Sequence, residues 1–435
     1  MQFQDTRPKV IAQCAGPGDV AEAIAYARDA GLPATARSGG HCFAGRSSTD
    51  GVLIDVGPMH AIEVEDGIAV IGAGARLGNV YDALAADGLT MAAGCGPDVG
   101  IAGLTLGGGL GILGRRHGLT ADQLVAAEVV LADGRVVECD EQHDPDLFWA
   151  LRGAGGCQFG VVTRLSFRAI PVGEATCLKL VWPAADAAAV IEAWQSISPA
   201  APDELAASLL VNSSTDPERP PTVTVFGAML ADERTTAAAV DELVTRAGTD
   251  PRSSELVQLP YRAAKRHLAE HGPGAEQLDG QEQEGVSFGK SEFFRVPLPA
   301  DAIGALVENF FADRVPGEAR ELDFSPWGGA YNRVPPDATA FPHREELFLL
   351  KQAVAFEHGA SDAAQQAGRD WLRRSWGLVH PWGSGGVYPN FPDPDLDATE
   401  WPRAYHRDNY ERLVTVKAKY DPDGFFRFDQ AMSPR

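Results

Sequence analysis

The spacing of apolar residues changes along this chain. Near the start they gather in short runs that read as strands: Val10–Ala12, Leu32–Ala36, Val52–Val56 and Ile68–Gly74. Between these runs the spacing turns helical. Val20, Ile24 and Ala27 predict a helix over Val20–Ala30, opened by Pro17-Gly18-Asp19, and a second follows over Leu77–Asp87. Val125–Leu131 and Val136–Cys139, joined by Asp133-Gly134, read as a hairpin. From about residue 175 the texture changes: Cys177–Trp182 and Thr222–Leu230 read as strands of an antiparallel sheet, with helices over Ala184–Ser196 and Thr235–Ala247. Glu270–Val286 is polar and reads as a surface loop. Leu322 to Phe356 reads as strand–loop–strand, and Asp408–Tyr420 as helix. Strands and helices alternate without a strict βαβ rhythm, so the expected class is α+β.

The length of 435 residues exceeds one ordinary core and predicts two domains. A net charge of −23 argues against nucleic acid or an anionic membrane as partner, because both attract positive charge. No apolar run reaches the ~18 residues of a membrane-spanning helix. The start, Met1–Arg7, has no apolar leader core, so the expected address is cytoplasmic. Cys14, Cys42, Cys95, Cys139, Cys157 and Cys177 show no CxxC spacing. They predict neither a disulfide scaffold nor a metal site, and read as small buried hydrophobes.

Two glycine-rich stretches carry the candidate chemistry. The first is Arg37-Ser38-Gly39-Gly40-His41, continuing through Gly45, Arg46, Ser47 and Ser48. The second is Gly100–Gly111, containing Gly103, Gly107, Gly108 and Gly109. Gly109–Gly114 matches GxGxxG, but the residues before it, Gly103–Gly108, cannot make the packed central strand that a dinucleotide fold requires. The better reading is a run of backbone N–H groups that cradles phosphate oxygens or a planar ring, against the alternative of a glycine-rich turn without a ligand. His41 has three readings: a satisfied turn histidine, a general base, or a covalent anchor whose neutral imidazole attacks an electrophilic cofactor carbon.

Taken together, these residues resemble the flavin-linked oxidases of the vanillyl-alcohol oxidase/p-cresol methylhydroxylase fold, and more narrowly the berberine-bridge-enzyme-like branch. Arg37–His41 matches the family's FAD-attachment turn, and Val99–Gly111 its second flavin loop. Arg116–Asp122, Gly156–Thr163 (with Gly160 and Val162) and Ala340–Arg344 match further segments. The branch signature runs from Tyr388-Pro389-Asn390-Phe391 through Asn409–Val414 and Tyr420-Asp421-Pro422 to Gln430. The resemblance covers nearly the whole chain in order. It implies a two-part FAD-binding domain over 1–172, a substrate domain with a helix-covered antiparallel sheet over 173–392, and a C-terminal segment, 393–435, returning to the FAD domain.

The resemblance also implies that His41 bonds the 8α-methyl of the flavin. A second bond from a cysteine occurs in part of the family; here its position is Gly96, and Cys95 stands one residue early, so a single bond through His41 is favoured. Val99 occupies the position that gates oxygen, which favours an oxidase that passes electrons to O2. The family's usual base, a tyrosine after the signature Asn, is Phe391 here. Replacements are Tyr388, which shares a face with Asn390 if both lie on one strand, and Tyr331, Glu321 and Asp323. Gln352 matches a position near the flavin but is no base, and Asn390 orients flavin or substrate. Trp327, Tyr331, Phe391 and Trp382 are candidate aromatic walls for a small-molecule substrate. The leading function is an FAD-dependent oxidase of a small alcohol or aromatic secondary metabolite, acting as monomer or homodimer. The alternatives are an oxidative cyclase or dehydrogenase, and a flavin-binding protein that has lost catalysis.

Overall fold

The computed structural model describes residues 6–216, 218–271 and 285–435. The polar stretch 270–286 therefore lies, apart from its ends, outside the described residues. The chain forms two compact units. Of the described residues, one comprises 6–172 together with Val334–Arg344 and Pro394–Arg435; the other comprises Gly173–Arg333 and Glu345–Asp393.

Among the described residues the first unit holds three sheets, one of them only the two-stranded pair Leu89–Thr90 and Ile170–Pro171. A three-stranded parallel sheet has the order Val10–Gln13, Val52–Asp55, Ala34–Arg37. The helix Pro17–Asp29 buries Val20, Ala23, Ile24 and Ala27. It starts three residues before the apolar periodicity does. Pro17 at the first turn needs no hydrogen-bonded N–H, and the Asp19 carboxylate accepts from Ala15 N at 2.8 Å and Gly16 N at 3.2 Å. A five-stranded antiparallel sheet follows in the order Ile62–Glu65, Ile68–Gly72, Val161–Arg168, Leu124–Val130, Val136–Cys139. Its last two strands are the expected hairpin, with Gly134 in the left-handed region at φ 84°.

The second unit is built on a seven-stranded antiparallel sheet. Its order is Ser253–Pro260, Glu174–Pro183, Thr222–Met229, Leu205–Asn212, Glu318–Pro326, Phe348–Phe356, Val286–Phe294. Helices Ala187–Ile197, Glu233–Ala247, Ala300–Phe311 and Asp362–Val379 lie on one face. Side chains of a strand alternate between faces, so each strand sorts its residues into two sets. Leu322 and Phe324, with Leu350 and Val354 on the neighbouring strand, join Trp182, Trp194 and Trp371 in the core beneath the helices. Each such burial stabilises by about 1.5–3 kcal/mol. The residues between them, Glu321, Asp323 and Lys351, belong to the opposite face. The edge strand Val286–Phe294 is covered by the segment after the helix Asp362–Val379: Ser384 N donates to Phe293 O at 2.8 Å and Phe293 N to Gly386 O at 2.9 Å. This coverage removes an exposed sheet edge.

The class is α+β, as the alternation of patterns predicts. No helix among the described residues is long and apolar enough to cross a membrane.

Candidate functional site

In the first unit, Arg37-Ser38-Gly39-Gly40-His41 leaves the C-terminal end of the parallel strand Ala34–Arg37, the end at which open parallel sheets bind ligands. Its backbone lies directly against the second glycine stretch. A Cβ on Gly39 would stand 2.3 Å from Gly100 N, and one on Gly100 would stand 2.3 Å from both Ser38 Oγ and Gly39 N. Only glycine allows that approach. The Arg76 guanidinium locks the pair, donating to Gly39 O and Asp98 O at 2.7 Å each. Ser38 Oγ donates to Ala73 O at 2.6 Å. Sequence reasoning missed Arg76: an arginine just before the helix Leu77–Ala85 carries no signal of its own.

Beyond this contact, the N–H groups of Gly40, His41, Cys42 and Ala44 donate no hydrogen bond to any described residue. Buried or half-buried N–H groups normally find partners, so a run of them fits an anionic ligand. Gly45 N donates to Cys42 O and Ser48 N to Gly45 O, closing the loop behind them. The His41 ring is exposed. Partial desolvation by the surrounding protein, then the Arg76 guanidinium, hold its pKa below the ordinary value, with Asp98 opposing. Its neutral, nucleophilic form therefore dominates at neutral pH.

Other residues of the turn have structural duties. Arg37 donates to Ser47 O at 3.0 Å and to Ser48 Oγ at 3.4 Å. Arg46, expected to bind cofactor, instead donates to Gln430 Oε1 at 2.7 Å and lies over the rings of Tyr405 and Phe428. Its charge serves the C-terminal segment.

The second stretch departs from the sequence reading. Ile101–Leu106 is a short helix capped by Gly100, not extended nest, because Ile101, Ala102, Thr105 and Leu106 are buried at helical spacing. Gly103 is exposed on that helix. The N–H groups of Gly107 and Gly108 donate to Thr105 O, that of Gly108 at 2.9 Å, so they close the end of the helix and the expected N–H nest is not formed there. Gly108 and Gly109 have φ of 113° and 82°, and a Cβ on Gly109 would stand 2.3 Å from Thr120 Oγ1. A Cβ on Gly111 would lie 2.1 Å from Ala93 O, so Cys95 follows two residues after a segment packed on this loop. Cys95 and Val99 are half-buried, and Leu77 N donates to Val99 O at 3.0 Å. Gly160 lets the strand start Val161–Arg168 pack on Val129 and Val130, and Val162 is paired with Val129 within the sheet. Ala340–Arg344 packs in this unit, with the Phe341 ring 3.1 Å from the Cβ position of Gly108 and Arg344 forked onto Asp122 at 2.7 and 2.8 Å.

In the second unit an aromatic row joins several expected residues. Tyr331 stacks on Trp327 at 4.3 Å, Trp327 meets Phe293 at 4.8 Å, Phe293 meets Tyr388 at 6.4 Å, and Tyr388 meets Phe391 at 5.1 Å. Tyr388 and Asn390 do not lie on a strand. They sit in a turn closed by Phe391 N to Tyr388 O at 2.8 Å, and Asn390 Nδ2 donates to Tyr388 Oη at 3.0 Å. Beside Phe391, Lys351 Nζ lies 5.3 Å from the ring, 2.7 Å from Glu321 Oε1 and 3.9 Å from Asp323 Oδ2. Burial and the neighbouring Glu321 outweigh the pull of Lys351 and push Asp323 up to about 6. Burial works against the Lys351 charge, but Glu321 and Asp323 hold its pKa above the ordinary value.

Two expected residues lie elsewhere. Gln352 alternates with Lys351, so it shares the helix-covered face with Leu350 and Val354; it is buried, and its Oε1 accepts no hydrogen bond among the described residues. Trp382 packs against the hydrophobic core rather than extending the aromatic row.

An N–H run at a strand end, backed by a glycine contact and carrying a neutral histidine, can cradle an anionic cofactor. Residues 8–140 match the FAD binding domain model, and residues 387–433 match the berberine and berberine-like model. The chain is 32% identical to the FAD-linked oxidoreductase YgaK of Bacillus subtilis over 98% of this chain and 91% of that protein. It is 30% identical to chitooligosaccharide oxidase of Gibberella zeae over 98% of this chain and 88% of that protein. The structure of BBE-like #28 from Arabidopsis thaliana superposes with a TM-score of 0.88 at 25% identity, covering 98% of this chain and 92% of that one. The protein belongs to the berberine bridge enzyme-like family of FAD-linked oxidoreductases.

Proposed function

We propose that this oxidoreductase is an oxidase of a small alcohol or aromatic secondary metabolite, with FAD held covalently through His41. The observation that carries the reading is His41 itself: a neutral imidazole within the run Gly40, His41, Cys42 and Ala44, whose backbone N–H groups have no partners among the described residues. Gly40, His41, Cys42 and Ala44 would hold the diphosphate by their N–H groups, and His41 Nδ1 or Nε2 would carry the tether. Bound there, FAD would supply two-electron acceptor chemistry for a substrate carbon, with O2 as the proposed final acceptor. Tyr388 Oη, as the phenolate, would accept the partner proton from the substrate hydroxyl, and Asn390, donating to that oxygen, would stabilise the phenolate before the transfer. The row Tyr331–Trp327–Phe293 is buried, so it backs Tyr388 by packing rather than forming the substrate wall expected of Trp327 and Tyr331.

One observation favours a second proton acceptor. Asp323 is poised near 6 beside Lys351 and Glu321, where an acceptor working at neutral pH would be ionised.

Acid precipitation tests the tether. The wild-type pellet should stay yellow and yield one flavin peptide by mass, containing His41. His41→Ala should release its flavin to the supernatant. A second adduct on Cys95 would replace the single-bond reading, and a colourless wild-type pellet would sink the tether. Peroxide release from cinnamyl alcohol and from chitobiose then separates the aromatic from the sugar substrate class, the latter supported by the chitooligosaccharide oxidase relative.

A further inference from the structure

The turn that carries Tyr388 and Asn390 lies beyond the last backbone ladder bond to the edge strand. Ladder hydrogen bonds between the edge strand Val286–Phe294 and the covering segment end at Gly386. From there on, side chains of successive edge-strand residues take over. Ser291 Oγ accepts from Tyr388 N at 3.3 Å and donates to Phe391 O at 3.2 Å, spanning both ends of the turn. Lys290 Nζ donates to Asp393 Oδ2 at 2.6 Å, two residues beyond. On the other side, Glu292 accepts from Gly385 N at 3.2 Å and pairs with His380 Nδ1 at 2.9 Å. The passage over that carboxylate is tight: a Cβ on Gly383 would stand 2.0 Å from Glu292 Oε1. Phe293, next in line, packs its ring on Tyr388.

Lys290, Ser291 and Glu292 are all buried. Burying an ion pair on a sheet edge is no more stabilising than apolar residues of similar size, because desolvation offsets the attraction. What such groups supply is direction: each bond has one donor, one acceptor and one length. We propose that Lys290, Ser291 and Glu292 are positioning residues that set the orientation of the Tyr388–Asn390 pair. The proposal rests on the reading of Tyr388 as proton acceptor, and it adds the device that aims the phenol.

The test uses holoenzyme labelled with 3-fluorotyrosine and followed by 19F NMR, the Tyr388 signal being assigned by its loss in Tyr388→Phe. Ser291→Ala should displace that signal and move its titration midpoint by roughly half a pH unit or more, because the hydrogen bond from Asn390 is no longer aligned. Ser291→Thr, which keeps the hydroxyl, should restore both. Lys290→Met provides the same readout should Ser291→Ala fail to fold. An unchanged Tyr388 signal and midpoint in the folded variants overturns the proposal. Turnover of Tyr388→Phe is read separately: undiminished turnover sinks the proton-acceptor reading, while the NMR shifts still decide whether these residues aim the turn.

Discussion

Phe391 stands where the family tyrosine would, and the two proposed proton acceptors lie near its ring. Tyr388 receives a hydrogen bond from Asn390, while Asp323 sits against Lys351 near the same ring. Asp323 is protonated below about 6 and ionised above it. Turnover followed by oxygen uptake should therefore rise through pH 6, and Asp323→Asn should erase that acid limb. Tyr388→Phe should lower the plateau on the order of 100-fold, the usual worth of a positioned proton acceptor, without moving the limb. A limb that survives in Asp323→Asn would remove Asp323 from the chemistry. Tyr388 and Asn390 do meet, but through a turn rather than on the one strand from which their spacing was read. Gln352 was misplaced because motif position says nothing about which face of a strand a side chain takes.

Among the elements, the helices show most clearly what pattern can and cannot tell. Pro17–Asp29, Glu233–Ala247 and Leu77–Ala85 follow from apolar spacing, within a turn at each end. Ile101–Leu106 does not, because glycine at Gly100, Gly103 and Gly107 hides a buried helical face. The helix Trp401–His406 carries a buried histidine whose neutrality is a packing result. Burial first, then Arg46, lower the His406 pKa to about 3, and its Nδ1 has no partner among the described residues. The unfolded chain binds this proton near 6.5 and the folded chain does not. Below pH 6.5 the unfolded state is thus favoured by on the order of 1.4 kcal/mol per pH unit, until the folded value is reached. Urea melts between pH 7 and pH 5 should show this loss in wild type and a flatter profile in His406→Phe. Equal slopes in both would exclude His406 as the source.

In the molecule as a whole, each unit is assembled from segments far apart in sequence. In the first unit, Lys417 Nζ donates to Gln158 O at 2.5 Å, Asp421 Oδ2 at 2.7 Å and Phe426 O at 2.8 Å, fully buried. It ties the C-terminal helix Tyr410–Tyr420 to the loop before the strand Val161–Arg168. Lys417→Met strands Asp421 without its cation and should cost about 3–5 kcal/mol in a denaturant melt. A melt within 1 kcal/mol of wild type, to order of magnitude, would show the pin to be dispensable.

The glycine stretches, the histidine and the C-terminal signature were readable along the chain because they depend on local backbone freedom and fixed spacing. These are properties of neighbouring residues, and they pointed to FAD and to the family. Tertiary structure alone decided how those pieces meet. Gly39 packs on Gly100 with Arg76 locking them, Arg46 turns to Gln430, Gln352 enters the core, and Ser291 spans the Tyr388 turn. Each of these contacts joins residues tens or hundreds of positions apart. Their partners are chosen by packing and by the need to satisfy buried polar groups, which no local pattern encodes.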